Sequence, residues 1–350
     1  MLKNKNKMSY IFTIILLLCI FVGIFFEFSF EPIILNYLSN DKRKDKNKLR
    51  LVQYNTDFLF SDSKIIECPG KDCDWKNKEQ EDKHFKKISN IIDILNPDII
   101  NLCEINTIKI LNKLKQDLNH DRYKCYLSKS EPNYIDQNLG IITNIEPLSF
   151  YRTNDKIHYP ISFSDCDCIE AGITNLPKHY ISTFYINNMN ILMIGLHLLA
   201  YPNYPERCAM REAGAIIIQK IILDYYHNHE IIIIGDLNDY DNDVLDHTNN
   251  KSKSKVLDII KGNRGYNPID YKLYNVSEYI IKKNRKTNIR DNSSMSMLDH
   301  ILVTEKLTKY IKDVYVFTHY NGKIGENFNS DHYPLVVDFD FTSADDKPEI

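Results

Sequence analysis

From Leu51 onward the chain is a succession of short, β-branched apolar runs, and several of them end on a carboxylate, an amide or an imidazole. Runs of this length suit strands better than helices, which need more residues to present a buried stripe. Residues 51–55, 98–104, 140–143, 179–186, 190–197, 230–236, 298–304 and 335–339 are therefore predicted strands. Two stretches have helical periodicity instead. Over 82–95, Phe85, Ile88, Ile91, Ile92 and Leu95 fall on one face and Pro97 follows the end; 207–226 is the second. Many strands and few helices predict two sheets packed face to face with helices outside. The polar stretches 249–255 and 282–292 are predicted loops, and no internal repeat is present.

The N-terminus has a different character. Lys3, Lys5 and Lys7 precede an unbroken apolar run over 11–26, extendable to Phe30 across Glu27. As a helix it would be roughly 24–30 Å long, close to the thickness of a bilayer's hydrocarbon core. The flank Phe25-Phe26-Glu27-Phe28-Ser29-Phe30 lacks the small residues of a cleavage site. A retained single-pass transmembrane helix (span about 9–30) is therefore expected, with a cleaved signal and secretion as the alternative. The basic N-terminal flank favours a cytosolic N-terminus and a lumenal or extracellular body. The domain reading is an anchor and basic linker over 1–50, a catalytic body over 51–341 and a polar tail over 342–350.

Charge follows the same division. The first 50 residues carry nine Lys/Arg and four Asp/Glu, leaving 35 basic and 43 acidic side chains in the rest. An acidic body is not that of a protein which coats nucleic acid nonspecifically, but it suits an enzyme that grips one or two phosphates. Seven cysteines lie outside the apolar run. Cys68 with Cys73, and Cys208 with either Cys166 or Cys168, are disulfide candidates in an oxidising compartment. No pair of CxxC spacings supports a zinc site.

The chemistry is concentrated at run ends: Asn55, Glu104, His197, Asp236 with Asn238, Asp299, and Asp331 with His332. Each has an ordinary reading alone. Asp236 and Asn238 could form a turn, Glu104 could cap a helix, and a lone His197 is more often a satisfied core histidine. Turn formation does not account for all of them together. Carboxylates, amides and imidazoles are also what a hard cation, an attacking water and a phosphate require.

These residues resemble the motifs of the endonuclease/exonuclease/phosphatase (DNase-I-like) superfamily. In order they are Gln53-Tyr54-Asn55, Leu102-Cys103-Glu104, Asn138-Leu139-Gly140-Ile141, Gly195-Leu196-His197, Ile234-Gly235-Asp236-Leu237-Asn238, Leu298-Asp299-His300-Ile301 and Ser330-Asp331-His332-Tyr333-Pro334. The resemblance implies an α/β fold, a four-layered sandwich of two mixed β-sheets flanked by helices, here preceded by one transmembrane helix. It also implies a magnesium-dependent phosphoric ester hydrolase, with manganese as a substitute ion. Glu104 resembles the principal metal ligand, completed by Asn55 and Asp331. Asp236 resembles the residue that activates water, Asn238 the amide that holds a phosphate oxygen, and His197 with His332 the phosphate-gripping pair. Asp299 resembles the buttress of His332; Lys178 and Arg207 are further phosphate contacts. His300 is expected on the opposite face from Asp299. The family's active-site tyrosine has no recognisable motif here. A nuclease is the favoured activity, and a sphingomyelinase-like lipid phosphodiesterase or phosphoinositide phosphatase is the alternative, drawn from the membrane span. A binding protein that has lost catalysis is the third reading, opposed by the full polar set. No protein partner follows from the sequence.

Overall fold

The computed structural model describes residues 40–59, 78–118, 121–131, 137–201, 203–266, 270–289, 295–320, 323–324 and 330–342. All fall within one unit, Ser39–Ile350. In chain order the elements are β1 (Lys48–Leu59), α1 (Lys78–Leu95), β2 (Ile99–Ile105), α2 (Ile108–Asp117), β3 (Lys124–Ser128), β4 (Asn138–Thr143), β5 (Ser149–Tyr151), β6 (Lys156–Tyr159), β7 (Gly172–Asn175), β8 (His179–Ile186) and β9 (Met189–His197). They continue with α3 (Pro205–Tyr225), β10 (Glu230–Asp236), α4 (Val256–Ile260), β11 (Leu273–Asn275), β12 (Asp299–Thr304), α5 (Glu305–Thr308), β13 (Ile311–Val316), β14 (His319–Tyr320), β15 (Lys323–Ile324) and β16 (Leu335–Asp340).

Two six-stranded sheets result, ordered β13-β16-β1-β2-β4-β3 and β11-β12-β10-β9-β8-β5. Each is mixed in the same way. A parallel pair, β1 with β2 or β9 with β10, lies at the centre, and the other neighbours are antiparallel. Every residue of β2 and β4 is buried, which is why these strands read as continuous apolar runs rather than alternating ones.

The apolar stripe of α1, Phe85, Ile88, Ile91, Ile92 and Leu95, is buried, at about 1.5–3 kcal/mol per side chain. Asn96 then takes a left-handed φ of 46° and Pro97 ends the helix. One large apolar cluster fills the space between the sheets and continues beneath α1 and α2. A second joins the outer face of β9 and β10 to α3 and α4. The product is an α/β sandwich of two mixed sheets with flanking helices.

The strand predictions at 179–186 and 230–236 coincide with β8 and β10. The helix α2 and the strand β13 were not foreseen. The three buried apolar residues of α2 and the short mixed pattern of β13 give weak periodicity. The disulfide joins Cys208 to Cys166, with Cα atoms 5.7 Å apart, leaving Cys168 as a free thiol. Cys68 and Cys73 lie outside the described residues.

The membrane-anchored localisation requires correction. Among the described residues no helix is long and apolar enough to cross a membrane. The run over 11–26 on which that expectation stood lies outside them.

Candidate active site

Strand parity and register bring the polar run ends together. On β9, Leu192, Ile194 and Leu196 belong to the outer cluster under α3, while Ile191 and Met193 face the other sheet. Gly195 and His197 continue the inner set by the two-residue period. On β10, Ile232 and Ile234 are inner, so Asp236 is too. On β12, Ile301 and Val303 are inner, and Asp299 shares their face. Asp236 is the register partner of both His197 and Asp299, so these three stand side by side. Because β9 and β10 are parallel, their C-terminal ends coincide, and antiparallel β12 begins where they stop. The facing sheet repeats this plan: Asn55 pairs with Cys103 near the ends of β1 and β2, and Asp331-His332 sit just before β16. Gly235 has a specific reason to lack a side chain, since a Cβ there would strike the Leu196 carbonyl oxygen.

The tightest contact is that of His332 with Asp299. Nδ1 of the imidazole lies 2.6 Å from Asp299 Oδ2, and Gln53 Nε2 donates to Asp299 Oδ1 at 2.9 Å. Burial opposes charge at His332, but Asp299, Asp236 and Asp331 outweigh it and hold the imidazole well above its ordinary range. At Asp299, burial is likewise outweighed, by His332, Gln53 and Thr287, and its carboxyl titrates below the usual value. The pair is thus an imidazolium and a carboxylate. Asn288 lies 2.9 Å from His332 Nε2. With both ring nitrogens protonated, its amide must present oxygen to that nitrogen.

Asp236 is buried and joins the two sheets. It accepts from Asn55 Nδ2 at 3.0 Å and from the Asn238 backbone N–H at 2.9 Å. Its Oδ2 lies 3.8 Å from Nε2 of His197 and 3.8 Å from Nε2 of His332. Burial, with the repulsion of Asp299, pushes its carboxyl up to about 7. His197 behaves oppositely to His332: burial, then Lys178 and His332, hold it well below the ordinary histidine value, so it is neutral. Its Nε2 faces Lys178 Nζ at 3.3 Å and Glu104 Oε1 at 3.7 Å. Its Nδ1 is buried without a hydrogen-bond partner among the described residues.

Glu104 is where strand parity fails. Alternation from inner Cys103 would aim it away from the other sheet. The strand instead breaks register between Cys103 and Ile105, and Glu104 adopts a left-handed φ of 66°. β1 breaks register beside it, between Asn55 and Leu59, with Asp57 and Phe58 at φ 52° and 53°. Paired bulges of this kind re-aim a side chain at a cost in backbone strain. Here they turn the Glu104 carboxylate into the site, where Oε2 accepts from Phe58 N–H at 3.0 Å. Burial pushes this carboxyl up, Lys178 pulls it down, and the charge on Asp331 pushes it up again. Asn55 Oδ1 accepts from Asp57 N–H at 3.1 Å.

Asn55, Glu104, Lys178, His197, Asp236, Asn238, Asp299, Asp331 and His332 therefore share one cleft. Asn238 holds its place through a φ of 47° and an Nδ2 bond to Leu198 O at 3.1 Å. Arg207 is not in contact with this group. It is exposed and donates to Ala200 O at 3.3 Å; only its charge reaches Lys178. His300 lies on the outer face of β12, bonded to Asn275 and to the Asp239 carbonyl, each at 3.0 Å. Gln53, Gln137 and Asn288 were missed as members of the surroundings. Gln53 shares the parity of Asn55 and could have been found that way, while Gln137 and Asn288 lie in loops that carry no periodic signal. Asp236, Asp299 and His332 are also spaced closely enough to ligate an ion. The Asp299–His332 hydrogen bond already uses two of those ligand atoms, so the trio is better read as a proton-holding network.

No family model and no curated protein matches the chain. Solved structures do. D. rerio TDP2 complexed with single strand DNA product is 14% identical, with a TM-score of 0.52 over 84% of this chain and 99% of that one. An endonuclease/exonuclease/phosphatase family protein from Leptotrichia buccalis C-1013-b gives 16% and 0.53, over 84% of this chain and 100% of that one. ANGEL2, a 2′,3′-cyclic phosphatase, gives 13% and 0.54, over 84% and 95%. At these identities the likeness is one of fold, over 84% of this chain. The chain has the DNase-I-like fold of the endonuclease/exonuclease/phosphatase superfamily.

Proposed function

We propose that the chain is a metal-dependent phosphoric ester hydrolase that cleaves nucleic-acid phosphodiesters by in-line attack of an activated water. The observation that carries the reading is geometric: His332 Nδ1 lies 2.6 Å from Asp299, and Asp236, bonded to Asn55 across the two sheets, stands 3.8 Å from both His197 and His332. An imidazolium fixed by a carboxylate, a neutral imidazole and a carboxyl pushed up to about 7 lie within a few ångströms of one another. A base is most useful when its affinity for a proton matches the working pH, and a cation is most useful against a phosphate when its charge is fixed.

In this reading Asp236 accepts the proton of the attacking water. Asn55 and the Asn238 backbone N–H hold the carboxylate in place. His332, kept charged by Asp299, would turn its Nε2–H from the Asn288 amide oxygen to a phosphate oxygen and offset the charge that grows there. Neutral His197 and the Lys178 ammonium contact the other side of the phosphate, and the Asn238 amide a further oxygen. Glu104, Asn55 and Asp331 would hold the divalent cation, magnesium with manganese as a substitute. The donor set fits: all three offer hard oxygens, and the repulsion between Glu104 and Asp331 is what a cation relieves. When bound, the cation would polarise a phosphoryl oxygen.

Nucleic acid is preferred as the substrate because neighbours sharing the fold include a protein complexed with a DNA product. The lipid alternative was drawn from the apolar run over 11–26, which lies outside the described residues. The test is hydrolysis by the purified chain of plasmid DNA, RNA, sphingomyelin and phosphoinositides in magnesium. Cleavage of DNA or RNA is expected; turnover of lipids alone would refute the nucleic-acid assignment.

A further inference from the structure

Just beyond His197, the end of β9, the chain presents two tyrosines to solvent. Tyr201 is 53% exposed and Tyr204 63%. Single exposed aromatic rings are ordinary on protein surfaces, but these two are organised. Their centroids are 5.6 Å apart in an edge-to-face arrangement. The planar guanidinium of Arg207 lies over the Tyr201 ring, 5.0 Å from its centroid. Tyr201 also has a φ of 64°, a left-handed backbone that glycine or asparagine accepts easily and a bulky side chain does not. Strain held at an exposed aromatic residue beside a catalytic cleft points to use rather than packing.

The segment is fastened to the cleft. Leu198 N–H donates to Asp236 O at 3.0 Å, and Asn238 Nδ2 donates to Leu198 O at 3.1 Å. Arg211 Nη1 donates to Leu199 O at 3.2 Å and, through Nε and Nη2, pairs with Asp239 Oδ2. Tyr201 follows His197 by four residues, at most about 14 Å of extended chain. Asn203 and Pro205, on either side of Tyr204, also line a pocket of 380 Å³ that reaches Tyr240, Lys251 and Ser252. That volume lies in the range of small-ligand sites, and Tyr240 is two residues beyond Asn238.

Resting on the reading of the cleft as a phosphodiester hydrolase, we propose that Tyr201, Tyr204 and the Arg207 guanidinium form a stacking platform. Its occupant would be an unpaired base of a single-stranded nucleic acid, adjacent to the scissile phosphate. Bases in a duplex have both faces covered by their neighbours, whereas an unpaired base offers a face to aromatic rings and guanidinium planes. The acidic body fits this division of labour. With 35 basic and 43 acidic side chains beyond residue 50, affinity comes from stacking more than from phosphate neutralisation, and its salt dependence is shallow.

Binding and turnover test the two readings separately. Anisotropy of fluorescein-labelled octathymidylate, measured with the full chain in EDTA, reads the platform without hydrolysis. Tyr201→Ala and Tyr204→Ala should each weaken binding about fivefold to a hundredfold. Tyr201→Phe, which keeps the ring, should bind as the unaltered chain does. A duplex of the same length should bind more weakly than the single strand. Unchanged affinity in both alanine variants, or duplex binding equal to single-strand binding, overturns the platform whatever the turnover. Failure of the hydrolytic reading would appear instead as no hydrolysis of bis(p-nitrophenyl) phosphate in magnesium, with binding still sensitive to the tyrosines.

Discussion

Asp299 and His332 show how a single contact fixes the character of the cleft. Their 2.6 Å hydrogen bond links groups thirty-three residues apart in sequence. If they act as one unit, their substitutions do not add. His332→Ala should lower kcat by about a hundredfold to a thousandfold and Asp299→Asn somewhat less, with the double variant little worse than His332→Ala; strictly additive losses would separate the two residues. His300 provides the contrast. It is buried and bonded on the outer face, so His300→Ala should lower stability by about 1–3 kcal/mol in urea denaturation while kcat changes little. Glu104 carries the metal hypothesis. Glu104→Gln keeps the shape and one acceptor for the Phe58 N–H but removes the charge. Titration calorimetry with manganese should therefore show binding to the unaltered chain and a loss of at least tenfold in the variant. Equal affinity would remove Glu104 from the ligand set.

At the scale of elements, β10 illustrates why a motif has the residues it has. Gly235 is required because β9 runs too close for a Cβ, and the next residue is Asp236. Gly235→Ala should cost about 1–3 kcal/mol of stability by overpacking and reduce kcat as well, because Asp236 shifts with its strand. A variant unchanged in both urea midpoint and kcat would contradict the close approach. β8 contributes a pH dependence. Burial, helped by Arg152, lowers His179 to about 4; the ring also bonds Leu176 O at 2.7 Å and accepts from Thr153 N–H at 3.0 Å. In the unfolded chain it titrates near 6.5. Below that value the unfolded state binds the extra proton, so this contribution is complete above about pH 6.5 and is lost progressively down to about pH 4. It is worth on the order of 3 kcal/mol. Urea unfolding at pH 7 and pH 4.5 should show a smaller loss in His179→Gln than in the unaltered chain, and an identical loss would rule this histidine out as the source.

For the whole molecule, most of the sandwich was legible because its central strands are buried on both faces and its polar residues stand where those strands stop. Parity alone puts His197, Asp236 and Asp299 on one face and His300 on the other. Three things were not legible. The double bulge that turns Glu104 into the cleft depends on pairing between β1 and β2, which no local pattern announces. The meeting of Asp236 from one sheet with Asn55 from the other is a product of packing. Loop residues such as Asn288 and Gln137 come to the cleft without any periodic signature. The resemblance to a known superfamily supplied the expected roles of Glu104, Asn55 and Asp236, while their placement, and the presence of Asn288 and Gln137, came from the structure.

The central claim is that the strand ends of both sheets make one metal-dependent hydrolytic centre with Asp236 as its base. Its most direct test is the rate of bis(p-nitrophenyl) phosphate hydrolysis by the purified chain and by Asp236→Asn, in magnesium, in EDTA and after magnesium is restored. The unaltered chain should be active in magnesium, silent in EDTA and active again on restoration. Asp236→Asn should fall by at least a hundredfold while remaining folded. Undiminished hydrolysis in EDTA, or an Asp236→Asn variant as fast as the unaltered chain, would contradict the account.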